Sequence, residues 1–229
     1  MKPRGRGFGV KGSAHTVFWP NYDSYDLGVL TGMLYGDGNL IKRPTALRTG
    51  RWRIELCEGD LGIVRAYRCL TRDLFNVKAA IRDRVTWYEA YYCSRIVYEF
   101  MTYVGEHPNG KKTGELRIPE FAKQHPDAMR GFVAGIFSVE GSVTCNSNER
   151  LRVEMLEPVL IQELYLWLRE FGLQPHIYQY PKEGKTMHGL YLYGPIECQT
   201  FLTSIGLIGK RKKQLTRFLR SRGQASPAR

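Results

Sequence analysis

The sequence predicts an α+β fold built from two copies of one αββαββα unit, a pseudo-twofold duplication in a single chain. Three observations predict it. Asp26 to Asn39 carries Gly28, Gly32 and Gly36 at every fourth position of an apolar run, with Asp37 directly behind them. Met129 to Val143 repeats that pattern at an offset of 103, setting Gly131 on Gly28, Gly135 on Gly32, Val139 on Gly36, Glu140 on Asp37 and Gly141 on Gly38. Beyond the two motifs, Arg53-Ile54-Glu55-Leu56 matches Arg152-Val153-Glu154-Met155 at 99. Tyr91 matches Tyr191 at 100, and Phe100-Met101-Thr102 matches Phe201-Leu202-Thr203 at 101. A drift of a few residues is what loop insertions and deletions leave between repeats.

In chain order, residues 1–22 are Gly-rich and basic (Lys2, Arg4, Arg6, Lys11) and read as a loose arm. Asp23 or Ser24 caps the first helix, which runs to about Gly36. Asn39 to Arg43 and Arg51 to Cys57 read as strands; in the second, Trp52, Ile54 and Leu56 alternate with Arg51, Arg53 and Glu55, the period of a sheet with one buried face. Residues 60–75 have helical apolar spacing through Leu61, Val64, Tyr67, Cys69, Leu70 and Leu74. Strands near Val77–Asp83 and Thr86–Cys93 follow, then a helix around Ile96–Val104. Pro126 opens the second motif helix at the position proline favours. The division expected is a basic arm at 1–22, a first repeat at 23–118, a second at 119–217 and a basic tail at 218–229.

The glycines need a physical reason, since each interior helical Gly costs about 1 kcal/mol relative to Ala. Positions i, i+4 and i+8 share one helix face, and a face without side chains lets another backbone approach closely. A second glycine-faced helix supplies that partner. Asp37 is the other anomaly: a carboxylate at a helix C-terminus meets the negative end of the dipole, so a cation is expected there.

Composition narrows the class. Lys and Arg number 34 against 22 Asp and Glu, a net +12, which favours an anionic partner such as nucleic acid over a basic ribosomal surface only once the glycine faces are weighed. Five cysteines without C-x-x-C pairing argue against structural zinc and a disulfide framework, and suggest reduced, mostly buried thiols. No apolar run reaches transmembrane length and no signal core follows the basic N-terminus, so a cytoplasmic protein with access to DNA is expected.

Leu30-Thr31-Gly32-Met33-Leu34-Tyr35-Gly36-Asp37-Gly38 and Val133-Ala134-Gly135-Ile136-Phe137-Ser138-Val139-Glu140-Gly141 resemble the two motifs of the LAGLIDADG homing endonucleases in their single-chain, two-repeat form. The resemblance spans about residues 24 to 215. It implies that the motif helices pack at the pseudo-twofold axis and that two antiparallel four-stranded sheets form a DNA-binding saddle over the major groove. It further implies Asp37 and Glu140 as catalytic metal ligands, with the carbonyls of Gly36 and Val139 adding to the set. Two acids held together at helix ends suit two or three Mg²⁺ ions, which activate water on one side of a phosphodiester and stabilise the leaving oxygen on the other. Lys112, in a G-K-K-T turn before Arg117-Ile118-Pro119-Glu120, resembles the family's G-x-K-S…R-I-P-E segment. The internal repeat sets Lys111 and Lys112 on Lys212 and Lys213, and one lysine of each pair, Lys112 and Lys212, is expected near a scissile phosphate. Where relatives often carry Gln or Lys at the end of the second strand, this chain has Cys57-Glu58 and Leu156-Glu157.

The DNA contacts expected are Lys42, Arg43, Arg48, Arg51, Arg53, Lys78, Arg82 and Arg84 in the first repeat. In the second they are Arg150, Arg152, Tyr178, Tyr180 and Lys182, with Lys210, Arg211 and Lys213 tracking backbone. The function expected is a monomeric, Mg²⁺-dependent, site-specific DNA endonuclease leaving 3′ overhangs. With its own Met and no flanking splicing domain, the chain reads as intron-encoded rather than an intein. The alternative is an RNA maturase, with the intron RNA as partner, or a non-cleaving DNA-binding protein on the same scaffold.

Overall fold

The computed structural model describes residues 7–8, 16–43, 51–107, 116–144 and 150–221. A short antiparallel pair, β1 (Gly7–Phe8) with β2 (Val17–Phe18), precedes the first repeat. That repeat runs α1 (Tyr25–Asp37), β3 (Gly38–Arg43), β4 (Arg51–Glu58), α2 (Leu61–Phe75), β5 (Ala80–Asp83), β6 (Tyr88–Cys93) and α3 (Arg95–Tyr103). After a short α4 (Glu120–Gln124), the second runs α5 (Pro126–Val139), β7 (Gly141–Thr144), β8 (Arg150–Met155), α6 (Pro158–Glu170), β9 (His176–Lys182), β10 (Lys185–Tyr193) and α7 (Pro195–Ser204). A further helix, α8 (Gly209–Ser221), follows it. The expected αββαββα order therefore occurs twice.

Each repeat folds its strands into one antiparallel four-stranded sheet, ordered β3-β4-β6-β5 and β7-β8-β10-β9. Alternation settles the faces. Leu40, Ile54, Leu56, Ala90 and Tyr92 are buried against the helices on the first sheet; Leu151, Val153, Met155, Leu190 and Leu192 are their counterparts on the second.

The two motif helices form the seam. Ser24 caps α1, its hydroxyl accepting from Leu27 N at 3.1 Å, and Leu27 to Gly36 are buried on every side. A methyl group on Gly28 would strike the Ala128 carbonyl oxygen and one on Gly32 that of Phe132; on the opposite helix, Gly131 meets the Tyr25 carbonyl and Gly135 that of Val29. The glycine faces thus meet backbone to backbone, as expected. At the C-terminal end Gly36 faces the side chains of Val139 and Glu140, so side chains rather than backbone space the helices there.

Some expectations change. Residues 16–22 are docked rather than loose: Trp19 packs edge-on against Phe100 at 5.1 Å, Tyr22 stacks on the same ring, and Asn76 Nδ2 donates to the Thr16 carbonyl at 3.0 Å. In α2 the buried stripe is Ile63, Val64, Tyr67, Thr71 and Phe75, one position out of phase with Cys69, which is exposed. Of the four cysteines among the described residues, Cys198 is buried while Cys69 and Cys93 are exposed and Cys57 is intermediate, so the thiols are not mostly buried. None of the described helices is long and apolar enough to cross a membrane.

The seam yields a direct test. Gly32→Ala forces a methyl onto the Phe132 backbone and destabilises by about 3 kcal/mol or more, because neither helix can yield without moving the other. Gly59→Ala, with nothing within 4 Å of the new methyl, changes stability by less than about 0.5 kcal/mol. Urea unfolding of both variants measures this, and equal midpoints would contradict a backbone-to-backbone seam.

Candidate active site and nucleic-acid interface

The site begins where the seam ends. Asp37 is the last residue of α1 and Glu140 is the C-cap of α5. A methyl built on Gly36 would stand 2.9 Å from Glu140 Cγ and 3.5 Å from its Oε1, so the Glu140 side chain lies across the residue next to Asp37. The following glycines make this possible. Gly38 folds back onto the Leu34 backbone and Gly141 onto the Phe137 carbonyl, so each chain passes straight from helix into strand with its acid at the junction. Neither helix has a basic residue in its last turn, and both acids therefore face the negative end of a dipole.

Much of the countercharge on the α5 side comes from α8. Arg211 Nη1 donates to the Ser138 carbonyl at 2.5 Å, Nη2 to the Val139 carbonyl at 2.6 Å, and Nε to the Gly141 carbonyl. Its Nη1 also reaches Glu58 Oε2 at 3.1 Å, across to the end of β4 in the first repeat. Arg211, expected to track the DNA backbone, is half-buried against these protein carbonyls, and the Val139 carbonyl, expected among the metal ligands, accepts from its guanidinium. Lys210, Lys212 and Lys213 beside it are exposed. Glu157, equivalent to Glu58 at the offset of 99, is buried and accepts from Leu116 N at 3.3 Å.

The outward faces of the sheets differ in chemistry. On the first, the register aligns Arg53, Glu55, Tyr91, Glu89 and Arg82. Arg53 and Arg82 lie over Tyr91, at 4.1 and 4.4 Å from the ring centre. Glu89, its side chain 6 % exposed, holds Arg53 and takes Arg84 at 2.7 Å, while Glu55 binds Arg53 Nε at 2.5 Å. Carboxylates and one ring thus fix the direction of these guanidiniums in advance. Lys78 is exposed ahead of β5, in phase with Arg82.

On the second sheet Arg150, Arg152 and Glu154 face outward beside Tyr191, Tyr178 and Tyr180. Tyr178 and Tyr180 stack nearly parallel at 6.2 Å, and Arg150 lies over Tyr191 at 4.7 Å. Tyr178 arches over Gly189, where a side chain would collide with its ring, and donates to Glu154 Oε1 at 2.5 Å. Burial first, then that bond, holds its phenol well above the usual tyrosine range. Arg152 donates to Ser142 Oγ at 2.7 Å. A cleft of about 750 Å³ opens between this face and Glu140, lined by Glu154, Met155, Glu157, Lys182 and Met187.

Lys42 falls elsewhere. It pairs with Trp52 in the register, on the helix side of the sheet, and its ammonium sits 4.6 Å over the indole. Its strand phase, opposite to that of Arg53, is the reason. Arg43 and Arg51 are register partners in β3 and β4. Arg48 and Lys112 lie outside the described residues. The sequence reading did not single out Tyr91, Glu89 or Glu154 as organisers of the arginines; for Tyr91 the match to Tyr191 was the available signal. Among the described residues no group of three or more His, Cys, Asp or Glu is placed to hold a metal ion.

Residues 127–206, within the second repeat, match the family described as LAGLIDADG-like domain. No curated protein matches the chain by sequence. Its fold is that of the homing endonuclease I-DmoI, at TM-score 0.62 and 20% identity over 81% of this chain and 97% of that one. I-DmoI has been solved in complex with DNA and Mn and with DNA and Ca. The meganuclease I-SmaMI, bound to uncleavable DNA, matches at 0.56 and 10% identity over 88% and 94%. Full-length DUF199/WhiA from Thermatoga maritima matches at 0.54 and 12% identity over 91% of this chain and 63% of its own.

The electrostatics of the site can be read from a thiol. Burial first, then the carboxylates of Glu55, Glu89 and Asp37, push Cys57 up to about 11. It is therefore a neutral thiol throughout the physiological range, and at about pH 8 iodoacetamide labels exposed Cys69 and Cys93 at least about 10-fold faster. Peptide mass spectrometry over a time course measures the order, and Cys57 labelling alongside the other two would contradict a buried, acid-flanked position.

Proposed function

We propose that this chain is a site-specific DNA endonuclease that cuts both strands of its target by divalent-metal-assisted phosphodiester hydrolysis, leaving 3′ overhangs. The observation that supports it most is the pairing of Asp37 and Glu140 at the end of the α1–α5 seam, between two sheets whose outward faces carry arginine and tyrosine. A fold shared by proteins of different names assigns no cleavage, so the reading rests on the paired acids. The similarity to I-DmoI and I-SmaMI, both known with DNA, supports DNA as the substrate.

The donor set fits a hard divalent cation, Mg²⁺ by preference. Asp37 and Glu140 supply carboxylate oxygens, and of the two backbone carbonyls expected with them, that of Val139 is bound by Arg211. With two acids the protein's share of the ligands is small, so DNA phosphate and water complete it. The cation supplies Lewis-acid stabilisation and an activated water. This chain's own residues do the rest. The seam fixes the separation of the acids, and the sheets hold the duplex across them by phosphate and base contacts from Arg82, Arg150 and Arg152 with exposed Lys78 and Lys182. One exposed lysine of α8, Lys212 or Lys213, stands close enough in sequence to Arg211 to serve a scissile phosphate. Because both acids belong to one chain, the active form is a monomer.

A second reading has one observation in its favour. Glu58, at a strand end where the resemblance leads one to expect Gln or Lys, is an acid tied to Arg211, which suits a scaffold that binds DNA without cutting it.

Incubation with plasmid libraries carrying candidate intronless sites, with and without Mg²⁺, separates the two. Double-strand breaks that need Mg²⁺ and fall at least about 100-fold in Asp37→Asn are expected. Tight, sequence-selective binding with no break at any bound site would sink the nuclease reading and support the second. Sequencing of the cut ends tests the overhang.

A further inference from the structure

We propose that Arg211 is a positioning residue that fixes Glu140 and locks the second motif helix to the first repeat, through a guanidinium shared among the carbonyls of Ser138, Val139 and Gly141 and the carboxylate of Glu58.

The last carbonyls of a helix have no partner within it and carry its negative end. In α5 the carbonyls of Ser138 and Val139 are met by two nitrogens of Arg211, and its third nitrogen takes the Gly141 carbonyl beyond. Those acceptors bracket Glu140. With the peptides on both sides of it anchored, the direction in which its side chain leaves the backbone is fixed. A planar fork of donors meets three diverging carbonyls at once; a lysine ammonium, a single point on a flexible stem, does not.

The same guanidinium reaches into the other repeat. Glu58 closes β4, its side chain 10 % exposed, with Oε1 accepting from Gly59 N at 2.7 Å and Oε2 bound to Arg211. Neighbouring contacts place Arg211 without freedom. Ile208 N donates to Ser138 Oγ at 2.9 Å, and Lys210 N donates to Asp60, the residue whose other oxygen caps α2. Residues 208–211 are thus pinned to α5 on one side and to the β4–α2 junction on the other. A phosphate contact by Arg211 would require releasing several of these bonds together.

The inference rests on the proposed nuclease reading for one readout only, the rate of cutting. The full chain is compared as wild type, Arg211→Lys, Arg211→Met, Glu58→Gln and Arg211→Met/Glu58→Gln, with exposed Lys213→Met as the reference for a phosphate contact. Three quantities are measured: the thermal midpoint, the salt dependence of affinity for a random-sequence DNA duplex, and the single-turnover rate on plasmid DNA that the wild type cuts. Arg211→Met and Arg211→Lys are expected to lower the midpoint by about 5 °C or more, Glu58→Gln by less, and the double variant no further than Arg211→Met alone. The salt slope is expected to stay at the wild-type value in the Arg211 variants and to fall by about 1 in Lys213→Met. The rate of cutting falls while DNA affinity holds. A wild-type midpoint with a slope lowered by about 1 in Arg211→Met would overturn the proposal, and additive losses in the double variant would overturn the link to Glu58. Should Arg211→Met fail to fold, Arg211→Lys and Glu58→Gln carry the same comparisons. A wild type that cuts no DNA removes the nuclease reading and leaves the melting and salt results to decide this one.

Discussion

Backbone-to-backbone contact between α1 and α5 is the constraint on which the rest of the structure depends. Gly28 and Gly32 admit carbonyls of α5, and Gly131 and Gly135 admit carbonyls of α1. A side chain at any of those positions would place its Cβ against a carbonyl oxygen and push the helices apart, and the acids at their ends with them. Each sheet is fed directly from its motif helix through Gly38 or Gly141, so helix spacing also sets how the sheets stand on either side of the acids. One seam therefore governs core packing, acid separation and the placement of both outward faces.

Such a seam leaves an electrostatic problem at its end, where two helix dipoles and two carboxylates put negative charge together. Arg211 answers part of it from within the chain, drawing on a helix seventy residues downstream. The repeats are alike in topology and unlike in surface chemistry. Buried Glu89 and half-buried Glu55 direct the arginines of the first sheet, whereas stacked Tyr178 and Tyr180 line the second. The two outward faces accordingly present different chemistry: preset guanidinium forks on one side, rings and hydroxyls on the other.

The duplication, the glycine faces and the strand alternation of Trp52, Ile54 and Leu56 were legible because each is a periodicity, and periodicity is local. The strand phase of Lys42 was not legible because β3 has adjacent apolar residues, Leu40 and Ile41; pairing with Trp52 resolves it. Helix α8 was present as Leu215, Phe218 and Leu219 at helical spacing, but the run Lys210 to Lys213 read as a basic stretch tracking the DNA backbone. The role of Arg211 had no local signal at all. Its partners Glu58 and Ser138 are 153 and 73 residues away, and its neighbours in sequence are ordinary exposed lysines. At the end of α5 part of the countercharge is a side chain, Arg211.

The central claim is that the seam delivers Asp37 and Glu140 to one shared divalent-metal site. A crystal structure of the protein on DNA with Mn²⁺, phased to show anomalous scattering, tests it most directly. The account predicts anomalous density in contact with both carboxylates, and Arg211 still seated on the Val139 carbonyl. Density bound to one acid alone, or Mn²⁺ found away from both, would contradict it.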